Sequence, residues 1–234
     1  NDLTDITRLA GYEYSTLWEE TTNGEIIALR GFNIGQNKII ERDFVNISDS
    51  LSKRLIRSRL FRNDVIYPCV GSIGNAVVIE EDDKYHIQQN IAKITPKKGK
   101  IFSHYLAYYL MSEFGLKEIE RFNGSSSQPN ILVGSLRQYL VVTPTLTEQK
   151  AIAAALSDVD ALISSLEQTI TKKKAIKQGA MQQLLIPPHK GGKRLPGFEG
   201  EWEYLPIELV ADCLDNLRVP LNGEQRNKMN GDIP

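Results

Sequence analysis

The sequence predicts an α+β protein, a mixed α/β domain of short strands followed by one long coiled-coil helix. Short apolar runs bounded by glycine-containing turns recur through the first 143 of the 234 residues. Beyond them, apolar residues at Ile152, Leu156, Val159, Ile163, Leu166 and Ile170 step by 4, 3, 4, 3 and 4. That spacing is the a/d seam of a coiled coil, which wants a second helix against it. A hydrophobic content of 41% and a charged content of 24% fit a soluble globular chain long enough for one or two cores.

Taken in order, Glu25-Ile-Ile-Ala-Leu-Arg30 reads as a strand and Gly31 to Gly35 as the turn after it. Asp64 to Val70 and Asn75 to Ile79 flank Gly71-Ser72-Ile73-Gly74 like the arms of a hairpin. A helix is expected from Ser103 to Arg121, with Ser103 as N-cap and Leu106, Tyr109, Leu110, Phe114 and Leu116 on one buried face. Phe122 to Asn130 is a polar loop, and Leu136 to Val142 is expected to close the domain as a strand.

The long helix should run from Thr147 to Leu185, about 58 Å at about 1.5 Å per residue. Pro144 announces it, together with a capping box of Thr145 and Glu148. Past Ile170 the strict seam would place Lys173 and Lys177 in the core, while Ile176, Ala180, Leu184 and Leu185 carry the apolar stripe instead, so the contact face rotates or changes partner. Pro187-Pro188 ends the helix. A Gly/Pro/Lys-rich linker follows within 188–204, and 205–234 begins something new. Leu209 to Leu214 faintly echoes the chain from Leu3, an offset of 206 residues, as if a second copy of the first domain were starting. The first residue is Asn1 rather than methionine, which reads as a processed or cloned fragment.

The net charge of −1 conceals two basic groups: Lys53, Arg54, Arg57, Arg59 and Arg62 in one, Lys172, Lys173, Lys174 and Lys177 in the other. Each is either a solvated face or an anion-binding surface. Cys69 and Cys213 lie far apart without CxxC spacing, and with three histidines the chain argues against a zinc site and for a reducing, cytoplasmic setting. No apolar run approaches the ~18 residues of a membrane span, and no signal peptide opens the chain. Gly71-Ser72-Ile73-Gly74 lacks the Gly-Lys-Ser/Thr of a phosphate loop, and no Gly-x-Ser-x-Gly elbow or Asn-Pro-Pro-Tyr-like motif occurs.

The spacer Pro144-Thr-Leu-Thr-Glu-Gln-Lys-Ala-Ile152, continuing through Ile170-Thr-Lys-Lys-Lys-Ala-Ile-Lys-Gln-Gly-Ala-Met-Gln-Gln-Leu-Leu185, resembles that of specificity subunits of type I restriction-modification enzymes. Lys193 to Glu203 is similar to the segment that leads into their second target-recognition domain. Arg59 to Tyr67 matches a strand pattern of these domains, and Gly71 to Asn75, Ile87 to Ala92 and Gly124 to Asn130 look like their recurring turns. The resemblance implies a non-catalytic DNA-reading subunit. Methyltransferase subunits using S-adenosylmethionine dock on it, and restriction subunits add ATP-driven translocation and Mg-dependent cleavage; this chain itself binds no cofactor and no metal. A full subunit carries two recognition domains and two antiparallel helices. This chain instead holds one recognition domain (1–143), one spacer helix (144–187), a linker (188–204) and the start of a second, incomplete domain (205–234). The expected remedy for the missing helix is an antiparallel homodimer through the spacer seam.

Double-stranded DNA is held mainly through its phosphates and read on its base edges. Lys53, Arg54, Arg57 and Arg59 are the phosphate candidates, while Arg62 reads as a surface residue of the adjoining strand. Side chains able to bond base edges lie in loops at Arg30, Asn33, Gln36, Asn37, Ser126, Ser127, Gln128 and Asn130, each with turn formation as the competing reading. Two other functions stay open: a coiled-coil adaptor without DNA binding, and a Mg-dependent nuclease built on Asp64, Asp82 and Lys84.

Overall fold

The computed structural model describes residues 3–122 and 130–212, and the chain divides into two compact units, Asn1–Leu166 and Glu167–Pro234. The first unit carries seven strands: β1 (Thr4–Arg8), β2 (Ile26–Leu29), β3 (Val45–Ile47), β4 (Val65–Pro68), β5 (Val77–Val78), β6 (Tyr85–Ile87) and β7 (Ile91–Pro96). Its helices are α1 (Gly11–Leu17), α2 (Asp49–Arg54), α3 (Ser103–Met111), α4 (Glu113–Phe122), α5 (Val133–Leu136) and the start of α6 (Leu146–Leu184).

Two sheets form. An antiparallel sheet has the order β1-β7-β4-β5, and a smaller one has the order β3-β2-β6, with β2 and β6 parallel. Strand β4 is apolar along its whole length because both of its faces are covered. Val65 and Tyr67 pack with Tyr105, Leu106 and Leu110 of α3, whereas Ile66 joins Leu29, Leu60 and Ile87 beneath the smaller sheet. The period-2 alternation of a strand thus divides one apolar run between two cores. The hairpin expected around Gly71–Gly74 is present as β4 paired with β5, and Gly71 and Gly74 both take positive φ.

Buried ionic groups tie the sheets together. Asp64 accepts from the Phe61 backbone N–H at 2.8 Å, from the Thr95 hydroxyl, and from Lys93 Nζ at 3.2 Å. Lys93 Nζ also donates to the Arg59 carbonyl oxygen at 2.6 Å. His86, fully buried, sits between the carbonyl oxygens of Ile87 and Leu55. Burial, reinforced by the charges of Arg59 and Lys93, holds its imidazole below the usual histidine range.

Three expectations are corrected. The helix expected over 103–121 is two helices, broken at Ser112, whose hydroxyl donates to the Tyr109 carbonyl oxygen at 2.7 Å. The second helix returns so closely that a Cβ on Gly115 would lie 2.4 Å from the Leu110 carbonyl oxygen. Phe102, not Ser103, occupies the N-cap of α3; its N–H is satisfied from outside, by Gln149 Oε1 at 2.8 Å. The segment expected as a strand over 136–142 is the end of α5 followed by irregular chain. Side chains satisfy its backbone there: Leu140 N–H donates to Glu118, and Tyr105 Oη donates to the Val142 carbonyl oxygen.

Helix α6 runs for 39 residues, one short of the expected C-terminal end, with Thr145 Oγ1 accepting the Glu148 N–H at 3.3 Å. In the second unit the linker folds back on the helix end. Lys193 N–H donates to the Gln183 carbonyl oxygen at 2.8 Å, Arg194 lies over the Trp202 ring, and Lys190 lies over Tyr204. Gly192 is required there, because a Cβ would fall 1.7 Å from the Ile186 carbonyl oxygen. Ile207–Leu209 is a single 3-10 turn, the echo's Val210–Asp212 forms no strand, and its last two residues, Cys213 and Leu214, lie outside the described residues.

Asp64→Ala would leave the Lys93 ammonium buried without its carboxylate, and is expected to lower the unfolding free energy by about 3–5 kcal/mol in urea titration. An unchanged urea midpoint would contradict that role. Because the folded pKa of His86 lies below its unfolded value, the unfolded chain binds more protons as pH falls below about 6.5, and stability drops in that direction. His86→Gln should flatten the dependence of the urea midpoint on pH between about 5.5 and 7; an equally steep dependence in the variant would exclude His86 as its source.

Candidate nucleic-acid interface

The basic cluster of the sequence separates into surface and core. Lys53 and Arg54 close α2 and are exposed, as is Arg57 just beyond it. Lys53 pairs with Asp49 at 2.6 Å, and together with Arg59 it holds that carboxyl below the usual carboxylate range. Arg59 is 4% exposed. Its guanidinium bonds Asp49 and Asp83, each at 2.8 Å, so it staples α2 to the turn before β6 and is removed from any contact surface. Arg62 is exposed, as expected.

The arm that joins β2 to β3, residues 30–44, carries four of the candidates for base contact. Asn33 is fully buried: its Oδ1 accepts the Arg30 N–H at 3.0 Å, and its Nδ2 donates to the carbonyl oxygens of Ile40 at 3.0 Å and Arg42 at 2.7 Å. It cross-braces both ends of the arm and cannot reach a base edge. Asn37, at φ 51°, directs its Nδ2 to Tyr108 Oη and Asp160 Oδ2, each at 2.9 Å, which ties the arm to α3 and α6. Both corrections have one cause: a short polar side chain in a long arm satisfies the arm's own backbone or its support before it meets a ligand. Gln36 remains exposed at the tip.

Arg30 is half-buried and donates from its terminal nitrogen to the Asp43 carbonyl oxygen at 2.9 Å. Its guanidinium lies 5.2 Å from the centre of the Phe32 ring, and that of Arg42 lies 5.1 Å from the same ring. Phe32 and Arg42 were not among the candidates read from the sequence. An Arg-x-Phe spacing followed by a further arginine is a common pattern, and only the fold brings residue 42 back over residue 32.

The arm is packed against the β4–β5 hairpin. Asn75 Nδ2 donates to the Ile34 carbonyl oxygen, Asn37 N–H donates to the Ala76 carbonyl oxygen, and Gly31 abuts the Val70 carbonyl oxygen. Val70 in turn bridges Asn130, which is exposed. The structure thus brings Arg30 and Arg42 together at Phe32, with Asn130 linked to the base of the same arm through Val70 and Gln36 at its tip. Ser126, Ser127 and Gln128 lie outside the described residues. Lys53 and Arg54 stand at the other end of β2: Val45 pairs with Ala28 beside the arm, while Ile47, next to α2, pairs with Ile26.

Of the nuclease constellation, Asp64 is buried and engaged with Phe61, Thr95 and Lys93. Asp82 accepts the Arg62 N–H and Lys84 pairs with Glu81. Among the described residues no group of three or more His, Cys, Asp or Glu side chains could hold a metal ion, and no helix is long and apolar enough to cross a membrane.

Along α6 the side of the seam is open. Only Gln149 and Ala153 are buried, whereas Ile152, Leu156, Val159, Ile163, Leu166 and Ile170 are 36–54% exposed. Ile152 and Leu156 also line an apolar groove with Tyr105, Tyr109, Phe114 and Val142.

Residues 2–178 match the family described as the type I restriction modification DNA specificity domain. Among curated proteins, the chain is 26% identical over 185 residues to a putative type I restriction enzyme specificity subunit, MjaX, of Methanocaldococcus jannaschii, an alignment covering 74% of this chain and 43% of that protein. It is 22% identical over 163 residues to the EcoBI specificity subunit of Escherichia coli, covering 70% of this chain and 34% of that protein. The chain therefore spans less than half the length of these relatives. Its fold is that of a type I restriction-modification S subunit from M. genitalium, with a TM-score of 0.50 at 16% identity over 78% of this chain and 43% of that one. A chain from a structural study of complex assembly and conformational transition in a type I system gives 0.53 at 19% identity, over 77% of this chain and 42% of that one. A mixed domain of short strands followed by a long spacer helix is thus a shared architecture, and this chain belongs to the type I restriction-modification DNA specificity domain family.

Proposed function

We propose that this chain reads one half of a bipartite DNA site, and that two copies pair through α6 in antiparallel fashion to read both halves. The observation that carries the pairing is the open seam of six aliphatic residues. Burying each fully would contribute about 1.5–3 kcal/mol, and a soluble monomer that left the stripe open would carry a contiguous apolar surface.

Charge selects the orientation. From Leu146 to Glu167 the helix carries Glu148, Asp158, Asp160 and Glu167 against Lys150 alone, a net charge of −3. From Gln168 to Leu185 it carries four lysines and no carboxylate, a net charge of +4. Antiparallel pairing sets acidic half on basic half, whereas parallel pairing sets like on like. A seam centred between Val159 and Ile163 then places Ile152 of one copy opposite Ile170 of the other.

Family membership supports DNA as the partner of the recognition unit, and the separation of its candidate residues suits a duplex. A four-residue strand spans about 13 Å at about 3.3 Å per residue, close to the major-groove width of about 12 Å. Loop residues at one end of β2 and Lys53, Arg54 and Arg57 towards the other would then meet base edges and phosphates of a single site. In this reading the chain works in the cytoplasm as a scaffold without a catalytic step of its own. Methyltransferase subunits supply S-adenosylmethionine-dependent modification, and restriction subunits use ATP and Mg.

Methylome mapping in cells that carry this chain with its methyltransferase subunit should yield a palindromic bipartite motif. An asymmetric motif would contradict the symmetric dimer, and absence of any motif dependent on the chain would contradict DNA reading. Sedimentation at micromolar concentration should show a dimer that Ile163→Lys converts to a helical monomer; a wild-type monomer would overturn the pairing. Arg57→Ala should weaken binding uniformly across sequences and lower the salt slope by about 1. Binding that does not respond to salt would favour a protein-binding adaptor instead.

A further inference from the structure

Of the two arginines in the arm, one differs from the other in how it is held. Arg42 is 63% exposed at its side chain, yet its guanidinium is already laid on the Phe32 ring at 5.1 Å, within cation–π range. Its backbone is equally fixed, because Asn33 Nδ2 holds the Arg42 carbonyl oxygen at 2.7 Å while Asn33 Oδ1 holds the Arg30 N–H. Arg30 shares the ring at 5.2 Å but is tied down by the Asp43 carbonyl oxygen, and its Nε is buried. The arm thus builds a platform from Arg30 and Phe32, and Arg42 presents the free fork.

The surroundings of Arg42 select among DNA groups. Glu41 and Asp43 flank it, both exposed, with the Asp43 carboxylate 3.9 Å from Arg42 Nε. The Asp43 carboxylate beside the guanidinium, with Glu41 next to it in the chain, opposes a fully charged phosphate more strongly than it opposes the uncharged acceptor edge of a base. Guanine presents O6 and N7 as paired acceptors in the major groove, and a planar guanidinium matches them with two parallel hydrogen bonds. An arginine stacked beforehand on an aromatic ring also has less rotamer freedom to lose on binding.

We propose that Arg42 reads a guanine in the target half-site, with Phe32 and Asn33 as its positioning residues. This rests on the DNA-reading function proposed above and adds the base and the side chain that recognises it. Arg30, held by the Asp43 carbonyl oxygen, contributes to the stack on Phe32 and is not itself the reader.

The test is enrichment from a pool of randomised duplex DNA by the full chain together with the methyltransferase subunit of its own system, compared for wild type, Arg42→Lys, Arg42→Ala and Phe32→Leu. Arg42→Lys keeps the charge and loses the fork, so preference for guanine at one position should fall about tenfold or more while overall affinity and salt slope change little. Arg42→Ala should relax the same position, and Phe32→Leu should relax it partly. A motif left intact in both Arg42 variants would overturn the proposal and leave DNA reading standing. Uniform loss of affinity in Arg42→Ala, with a salt slope lower by about 1 and an unchanged motif, would make Arg42 a phosphate contact and also overturn it. Failure of the wild-type assembly to enrich any motif would overturn the DNA-reading function and this assignment with it.

Discussion

The joint on which the rest of the structure depends is the side chain of Gln149. It is 1% exposed, donates to the Pro144 carbonyl oxygen at 2.8 Å and accepts the Phe102 N–H at 2.8 Å. One amide therefore closes the first turn of α6 and caps the start of α3. The second fastening is Asp160, eleven residues on, which accepts from Tyr108 Oη at 2.8 Å and from Asn37 at 2.9 Å. Two fastenings about 16 Å apart along one helix, at about 1.5 Å per residue, fix the direction of that stretch within the first unit as well as its origin.

That rigidity gives the exposed seam its meaning. If the helix swung freely, pairing two copies would set no distance between their reading surfaces. Fastened at Gln149 and Asp160, it carries the position of the arm that holds Arg30, Phe32 and Arg42 into the dimer proposed for it, because Asn37 of that arm is bonded to Asp160 itself. The arm and the helix meet at one carboxylate. A change in how the helices pair would therefore be felt at the loop, and the spacing between half-sites would follow from helix length.

The features legible in the sequence were those set by local pattern. The 4-3 periodicity from Ile152 to Ile170, the Thr145 cap and the glycine-bounded hairpin depend on near neighbours, and the described structure carries each of them. What escaped depended on distant partners. Arg59 and Arg57 are indistinguishable in sequence, yet Arg59 meets Asp83 twenty-four residues away and becomes core. Asn33 and Asn37 carry the side chains expected of base readers, but bond respectively to the arm's own backbone and to α6. The break at Ser112 was hidden because apolar residues recur on both sides of it, Leu106 and Leu110 buried before it and Phe114 and Leu116 exposed after it; Gly115, needed where α4 passes the Leu110 carbonyl oxygen, was a local signal for it. The segment 136–142 looked strand-like from its valines and leucines, but among the described residues no strand pairs with it.

The central claim is that α6 meets a second copy of itself in antiparallel register, and its most direct test is cysteine crosslinking across the seam. In a Cys213→Ser background, with Cys69 buried and its thiol pushed up to about 11 by burial, Ile152→Cys and Ile170→Cys chains would be prepared separately and mixed. Antiparallel pairing requires efficient disulfide formation in the mixture and little in either variant alone. Ready crosslinking of Ile152→Cys with itself would mean parallel helices. No crosslinking in any combination would mean that the seam is covered by something other than a second copy.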